Sequence, residues 1–131
     1  MMTSMSESSN IRRVGSAEVV SKTGNDLWVR IHLNSVPNVN WLQYFRNPIS
    51  SQHNKTHPSN ARFASDNTLD FESTISQLKN DIKLMDNYLD QANVACIAQK
   101  NKELADIKRK EELEAEEKEE LRKINESIKS T

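Results

Sequence analysis

The sequence predicts an α+β fold, in which a small antiparallel sheet of three to four strands and a short crossover helix pack on one long C-terminal helix. Both glycines and all three prolines lie within the first 58 residues, so turns belong to the front half of the chain. Strict alternation of apolar and polar residues near residue 30 favours a strand, and apolar residues at steps of three and four after residue 74 favour a helix.

The first predicted element is a β-hairpin. Residues 27–33 alternate apolar and polar side chains, which is typical of a strand with one buried face. Residues 14–20 can form its partner strand, because Gly24 and Asn25 in the segment between them suit a tight turn. The apolar face of the second strand carries Leu27, Val29, Ile31 and Leu33. The opposite face therefore carries Trp28, Arg30 and His32.

A short helix and a second hairpin follow. Asn38 is a cap candidate for a helix of one or two turns that ends before Pro48. Residues 47–60 are polar and contain two prolines, so we expect an exposed, mobile loop. Residues 61–72 predict a shorter hairpin around the turn 65–67, which brings the sheet to four strands.

The sequence predicts one long C-terminal helix. Thr74 and Gln77 have the spacing of a capping box, so the helix is expected to begin near residue 74. The apolar ladder follows: Ile75, Leu78, Ile82, Met85, Leu89, Ala92 and Cys96. No helix breaker interrupts the chain before about residue 127. The predicted organisation is a disordered N-terminus (1–11), a small α+β domain (12–98) and a charged helical extension (99–131) that projects.

The extension contains a charged run, residues 108–120, in which only Leu113 and Ala115 are uncharged. Opposite charges at helical spacing, such as Lys108 with Glu112, can hold such a helix in water. Two interpretations stay open at this point: a solvated helix or frayed tail, or a weak coiled coil with short contacts near each end. The predicted helical interface consists of Leu104, Ile107, Leu121, Ile124 and Ile128.

A second candidate partner-binding surface is aromatic and basic. An exposed sheet face that combines tryptophan with arginine can form a protein hot spot or stack nucleic-acid bases. The predicted partner-binding residues are Trp28, Arg30, His32, Trp41, Tyr44 and Arg46. The alternative is that the short helix covers this face, in which case Trp28 only contributes packing.

Charge suggests an alternative function. The chain has a net charge of −1, so its global charge predicts no polyanionic partner. Residues 27–65, however, contain no acidic residue, and this cationic segment suits a nucleic-acid-binding accessory protein. Its basic residues are Arg30, Arg46, Lys55 and Arg62.

Catalytic and metal chemistry are not expected. His53 and His57 have the spacing of half a zinc site, but further ligands are lacking. Asp66, Asp70 and Glu72 cluster at a turn, where carboxylates usually bind only water. No nucleophile elbow or phosphate-binding glycine loop occurs. We therefore predict no enzyme activity, no cofactor, no metal and no small-molecule substrate.

The predicted function is a non-catalytic interaction or assembly module: an adaptor, or a small regulator or inhibitor of a larger complex. Self-association or a protein partner is expected, through the aromatic sheet face, the long helix or both. The sheet edges could also accept an added strand. A single cysteine at a ladder position and the lack of a long apolar run predict a cytoplasmic protein without a membrane partner.

Overall fold

A computed structural model describes residues 10–51 and 54–129. Four strands form one antiparallel sheet in the order β1-β2-β4-β3. A short helix and a long C-terminal helix complete the predicted α+β fold. The strands are β1 (Arg13–Thr23), β2 (Asp26–Leu33), β3 (Arg62–Ser65) and β4 (Thr68–Thr74). The helices are α1 (Val39–Arg46) and α2 (Leu78–Lys129), with a 3₁₀ turn at Pro58–Asn60.

The first hairpin closes through a two-residue turn. Gly24 has a φ of 63°, and a glycine with positive φ at the first central position is typical of a type II′ turn. Gly15 also has a positive φ, of 72°, next to a register shift between Val14 and Glu18. A second shift separates Val19 from Ser21. Strand β1 is therefore an edge strand with two irregularities.

The central strands β2 and β4 bury one face of the sheet. In their register Val29 pairs with Phe71 and Ile31 with Leu69, and all four side chains are buried. The second predicted hairpin is also present, because β3 pairs with β4 across the turn at Asp66 and Asn67.

Helix α1 packs against this buried face. The Asn38 side chain caps the helix by accepting a hydrogen bond from the Trp41 amide at 2.8 Å, as the sequence predicts. The rings of Trp41 and Phe45 stack with their centroids 5.1 Å apart, and both side chains are fully buried in the core.

Helix α2 begins later than predicted. Thr74 is the last residue of β4 and pairs with Asp26, so the strand takes the residue that was expected to cap the helix. The Gln77 amide donates to the Thr74 carbonyl at 3.2 Å instead. Ile75, the first member of the predicted ladder, is 52% exposed. The predictions of a capping box and of a buried Ile75 were therefore wrong.

The rest of the ladder lies in or against the core. Met85, Leu89, Ala92 and Cys96 are buried, and Leu78 and Ile82 pack against them with partial exposure. By contrast, every residue from 101 to 129 is exposed. The chain divides into two compact units after Ile97.

Two further expectations need correction. Ile11, assigned to a disordered N-terminus, is fully buried and exchanges two backbone hydrogen bonds of 2.8 Å with the Asn93 side chain. The loop before β3 is not wholly exposed either, because Thr56 and Pro58 are buried. The Thr56 hydroxyl donates to the Glu72 carbonyl at 3.1 Å, which attaches this loop to the sheet.

Candidate interaction surfaces

The outer face of the sheet carries an ion pair at its centre. Arg30 and Asp70 are cross-strand neighbours in β2 and β4. The guanidinium donates to both carboxylate oxygens, from Nε to Oδ1 at 2.8 Å and from Nη2 to Oδ2 at 3.0 Å. This hydrogen bonding raises the pKa of Arg30 above its usual value. Asp70 therefore neutralises the charge of Arg30, which was expected to face a partner.

Trp28 lies beside this pair and is only half-buried. The Arg62 guanidinium carbon lies 3.9 Å from the centroid of the indole ring, within the range of a cation–π contact. Strand β3 positions Arg62 for this contact, because Arg62 pairs with Asp70 in the sheet register. One ring face of Trp28 is therefore already in contact with an arginine.

His32 completes the row on β2. Its Nε2 lies 3.5 Å from a carboxylate oxygen of Glu18 on β1, and both side chains are about half exposed. Trp28, Arg30 and His32 thus share one face, as predicted, and each contacts a side chain from another strand of the sheet. The result is a polar, ion-paired surface rather than an open apolar one.

Helix α1 does not cover this face. Trp41 and Phe45 belong to the core cluster together with the opposite face of β2. The predicted grouping of Trp41 with Trp28 in one exposed surface is therefore wrong. Trp41 is 0% exposed, and its Nε1 donates to Oδ1 of Asn93 at 2.8 Å. The physical reason is that α1 buries its aromatic side against the apolar face of the sheet.

The other two α1 residues also lie away from the outer face. Tyr44 packs against the core with partial exposure. Arg46 donates from Nη1 to the carbonyls of Pro58 and Ala61, at 2.8 and 2.7 Å. Arg46 therefore fixes the 3₁₀ turn at Pro58–Asn60 instead of facing a partner. Nothing in the α1 sequence indicated this role.

The cationic segment is compensated by acids outside it. Asp70 neutralises Arg30, and Oδ1 of Asp26 lies 2.7 Å from Nζ of Lys55. Hydrogen bonding to Asp26 raises the pKa of Lys55. Residues 27–65 contain no acidic residue, but the fold places carboxylates beside two of their four basic side chains, Arg30 and Lys55. The other two contact backbone carbonyls or the Trp28 ring. This geometry does not favour a polyanion-binding surface.

Of the two histidines with the spacing of half a zinc site, the structure describes His57 alone. His53 lies outside the described residues, and Nδ1 of His57 is 2.7 Å from the Ser59 hydroxyl. Cys96 is buried in the core. Within residues 10–51 and 54–129, no group of three histidine, cysteine or carboxylate side chains is arranged to hold a metal ion.

A polar cleft of about 460 Å³ lies between residues 54–56, the end of β4 and the first turns of α2. Near it the Ser73 hydroxyl donates to Oδ2 of Asp81 at 2.7 Å. This bond ties β4 to α2. Both groups are therefore used in holding the sheet to the helix.

The distal part of α2 offers a different kind of surface. We define the distal stripe as the apolar residues before and after the charged run. Leu104 is 64% exposed and Leu121 is 60% exposed, and the other members are also open to solvent. The members are Ile97, Leu104, Ile107, Leu121, Ile124 and Ile128. These are the predicted interface residues together with Ile97.

Ion pairs occur on the same segment. Arg122 contacts Glu119 and Glu126, each at 2.6 Å and at helical spacings of three and four residues. Hydrogen bonding to Arg122 lowers the pKa of Glu119. Such exposed pairs contribute little stability individually, but they keep the polar side of the helix charged.

Within the described part of the chain, no helix combines the length and apolar character that crossing a lipid bilayer requires. Comparisons with protein-family models, curated proteins and solved structures found no match to this chain.

Proposed function

We propose that this protein is a non-catalytic interaction module that binds a partner helix through the distal stripe of α2. The observation that carries the proposal is the continuous exposure of α2 from residue 101 to residue 129. Folded chains rarely leave large aliphatic side chains exposed in a repeated pattern along one helix unless that surface has a use. A cytoplasmic location is part of the proposal.

The distal stripe supports the proposal better than the outer sheet face does. Arg30 and Asp70 already form an ion pair with each other. A partner that bound either charge would have to break this pair, which is energetically unfavourable. The sheet edges are also blunted, because β1 has two register shifts and β3 has only four residues. Both features disfavour strand addition.

Five of the six residues of the distal stripe have the spacing of a coiled-coil seam, and Ile124 lies beside that seam. Leu104 follows Ile97 by seven residues, and Ile128 follows Leu121 by seven. Recurrence at seven residues keeps side chains on the seam that faces a partner helix. The charged run between the two halves separates them, which suits contact near each end of the segment.

A capture experiment tests this proposal. The tagged chain is used as bait in two separate experiments. One uses a cell lysate, and the other uses an untagged copy of the same chain. Replacing Leu104 and Leu121 with lysine is expected to abolish capture, because charges would enter the apolar seam. Quantitative mass spectrometry of the captured proteins provides the measurement.

Leu113→Lys is the matched control, because Leu113 is similarly exposed but lies within the charged run and off the stripe. It should retain capture. If the double lysine variant keeps every protein bound by the natural chain, or if the natural chain captures nothing more than a chain ending at Ala98, the proposed function is wrong.

A further inference from the structure

The arrangement of charge along the distal stripe also restricts what its partner helix can be. Heptad positions a and d face the partner in a coiled coil. When Ile97 is placed at a, Leu104 falls at a, and Ile107, Leu121 and Ile128 fall at d. The same seam then contains polar residues at the remaining a and d positions. These are Lys100, Glu111, Glu114, Lys118 and Asn125.

A parallel pair of identical helices is unfavourable on this seam. Parallel pairing places each a or d residue opposite its own copy. Glu111, Glu114, Lys118 and Lys100 would each meet a like charge across the interface. Like charges juxtaposed in an interface cost several kcal/mol in total. The charges therefore disfavour the parallel arrangement.

An antiparallel pair of identical helices matches the apolar residues instead. In this arrangement an a residue lies opposite a d residue of the second copy. With the twofold axis between residues 112 and 113, Ile97 meets Ile128 and Leu104 meets Leu121. Each contact occurs twice by symmetry, so four of the ten layers are aliphatic on both sides.

The same register reduces the like-charge layers from four to two. The contact of Glu111 with Glu114 remains and occurs twice by symmetry, and Lys110 of one copy comes to lie beside Glu117 of the other. The other layers pair Ile107 with Lys118 and Lys100 with Asn125. A lysine stem can pack on an aliphatic neighbour while its ammonium group stays in water. Opposite charges beside the seam help to fix register and orientation.

We infer that the partner of the distal stripe is a second copy of this chain, bound antiparallel with residues 112 and 113 at the twofold axis. This inference rests on the proposed function, because it uses the same surface. It adds the identity, direction and register of the partner helix. The paired segment extends over 31 residue steps, or about 46 Å at 1.5 Å per residue.

Disulfide trapping separates the two orientations. Leu104→Cys and Leu121→Cys are made singly, and the natural chain with its buried Cys96 is the control. Under mild oxidation the mixture of both variants should give a covalent dimer on a non-reducing gel, at least about tenfold more than either variant alone. Disulfides need Cβ atoms about 4 Å apart, so only cysteines that face each other react.

Neutralising the two central layers provides a second test. Glu111→Gln with Glu114→Gln should tighten the dimer about tenfold by sedimentation equilibrium, because it removes the remaining like-charge contact. Glu116→Gln with Glu120→Gln removes the same charge from positions outside the seam and is the matched control. The control should leave the dissociation constant within about twofold.

Three results would overturn the inference: a monomer at all concentrations up to several hundred micromolar, self-cross-linking of each single cysteine variant to the same extent as in the mixture, or equal effects of the two glutamine pairs. A monomer that still captures another protein through Leu104 and Leu121 would overturn only this inference. Loss of both self-association and stripe-dependent capture would remove the proposed function as well.

Discussion

At the scale of single residues, Asn93 joins three distant parts of the core. Its Oδ1 accepts hydrogen bonds from the Ile11 amide and from Nε1 of Trp41, and its Nδ2 donates to the Ile11 carbonyl, each at 2.8 Å. The residue is 8% exposed. One side-chain amide therefore attaches the N-terminal segment and α1 to α2.

We predict that Asn93→Leu destabilises the protein by about 2–4 kcal/mol, because it leaves buried donors and an acceptor without partners. Urea unfolding followed by circular dichroism measures the change. Asn80→Leu, on an exposed position of the same helix, should stay within about 0.5 kcal/mol. Equal effects of the two substitutions would show that the Asn93 bonds contribute nothing to stability.

At the scale of elements, α2 has two environments along one uninterrupted helix. Its first turns bury Met85, Leu89 and Cys96, whereas residues 101–129 are exposed. The first part is stabilised by tertiary packing. The second part relies on helix propensity and side-chain pairs such as Arg122 with Glu119, unless another helix covers its apolar stripe.

Leu89→Ala is therefore expected to cost about 2–5 kcal/mol, because it creates a cavity in the core. The same truncation at Leu113, which is 53% exposed, should change stability by less than about 0.5 kcal/mol. Denaturant melts of the two variants give the comparison. A small loss of stability in Leu89→Ala would mean that packing of the ladder residues contributes little to the stability of the folded unit.

At the scale of the whole molecule, the chain divides into two units with different stabilising interactions. The unit that ends at Ile97 contains the sheet, α1 and every buried core side chain among the described residues. The described residues of the second unit, 98–129, are all helical. The buried core and most of the proposed partner-binding stripe thus lie in separate stretches of chain.

A chain ending at Ala98 is accordingly expected to keep a cooperative thermal transition within about 5 °C of the full chain, because no buried side chain is removed. A chain ending at Asp90 loses Ala92, Asn93 and Cys96 and should show no cooperative transition. Differential scanning calorimetry distinguishes the outcomes. Loss of the transition on truncation at Ala98 would show that the distal helix supports the fold.

Much of the fold was predictable because it depends on local patterns. The period-2 alternation in β2, the turn at Gly24 and the Asn38 cap act over a few residues, and each appears at its predicted position. The late start of α2 was not predictable in this way. Thr74 suits a helix cap in isolation, but its pairing with Asp26 links residues 48 positions apart.

The same distinction between local patterns and long-range contacts applies to the candidate surfaces. Exposure of the distal stripe could be expected from sequence, because the charged run leaves no side of the helix wide enough to pack on a core. The chain by itself thus determined its strands, turns and long helix, since spacing and turn chemistry are properties of neighbouring residues. Only the tertiary structure decided that Asp70 pairs with Arg30, that Asp26 pairs with Lys55 and that Trp41 lies inside, because these contacts join segments that sequence spacing does not relate.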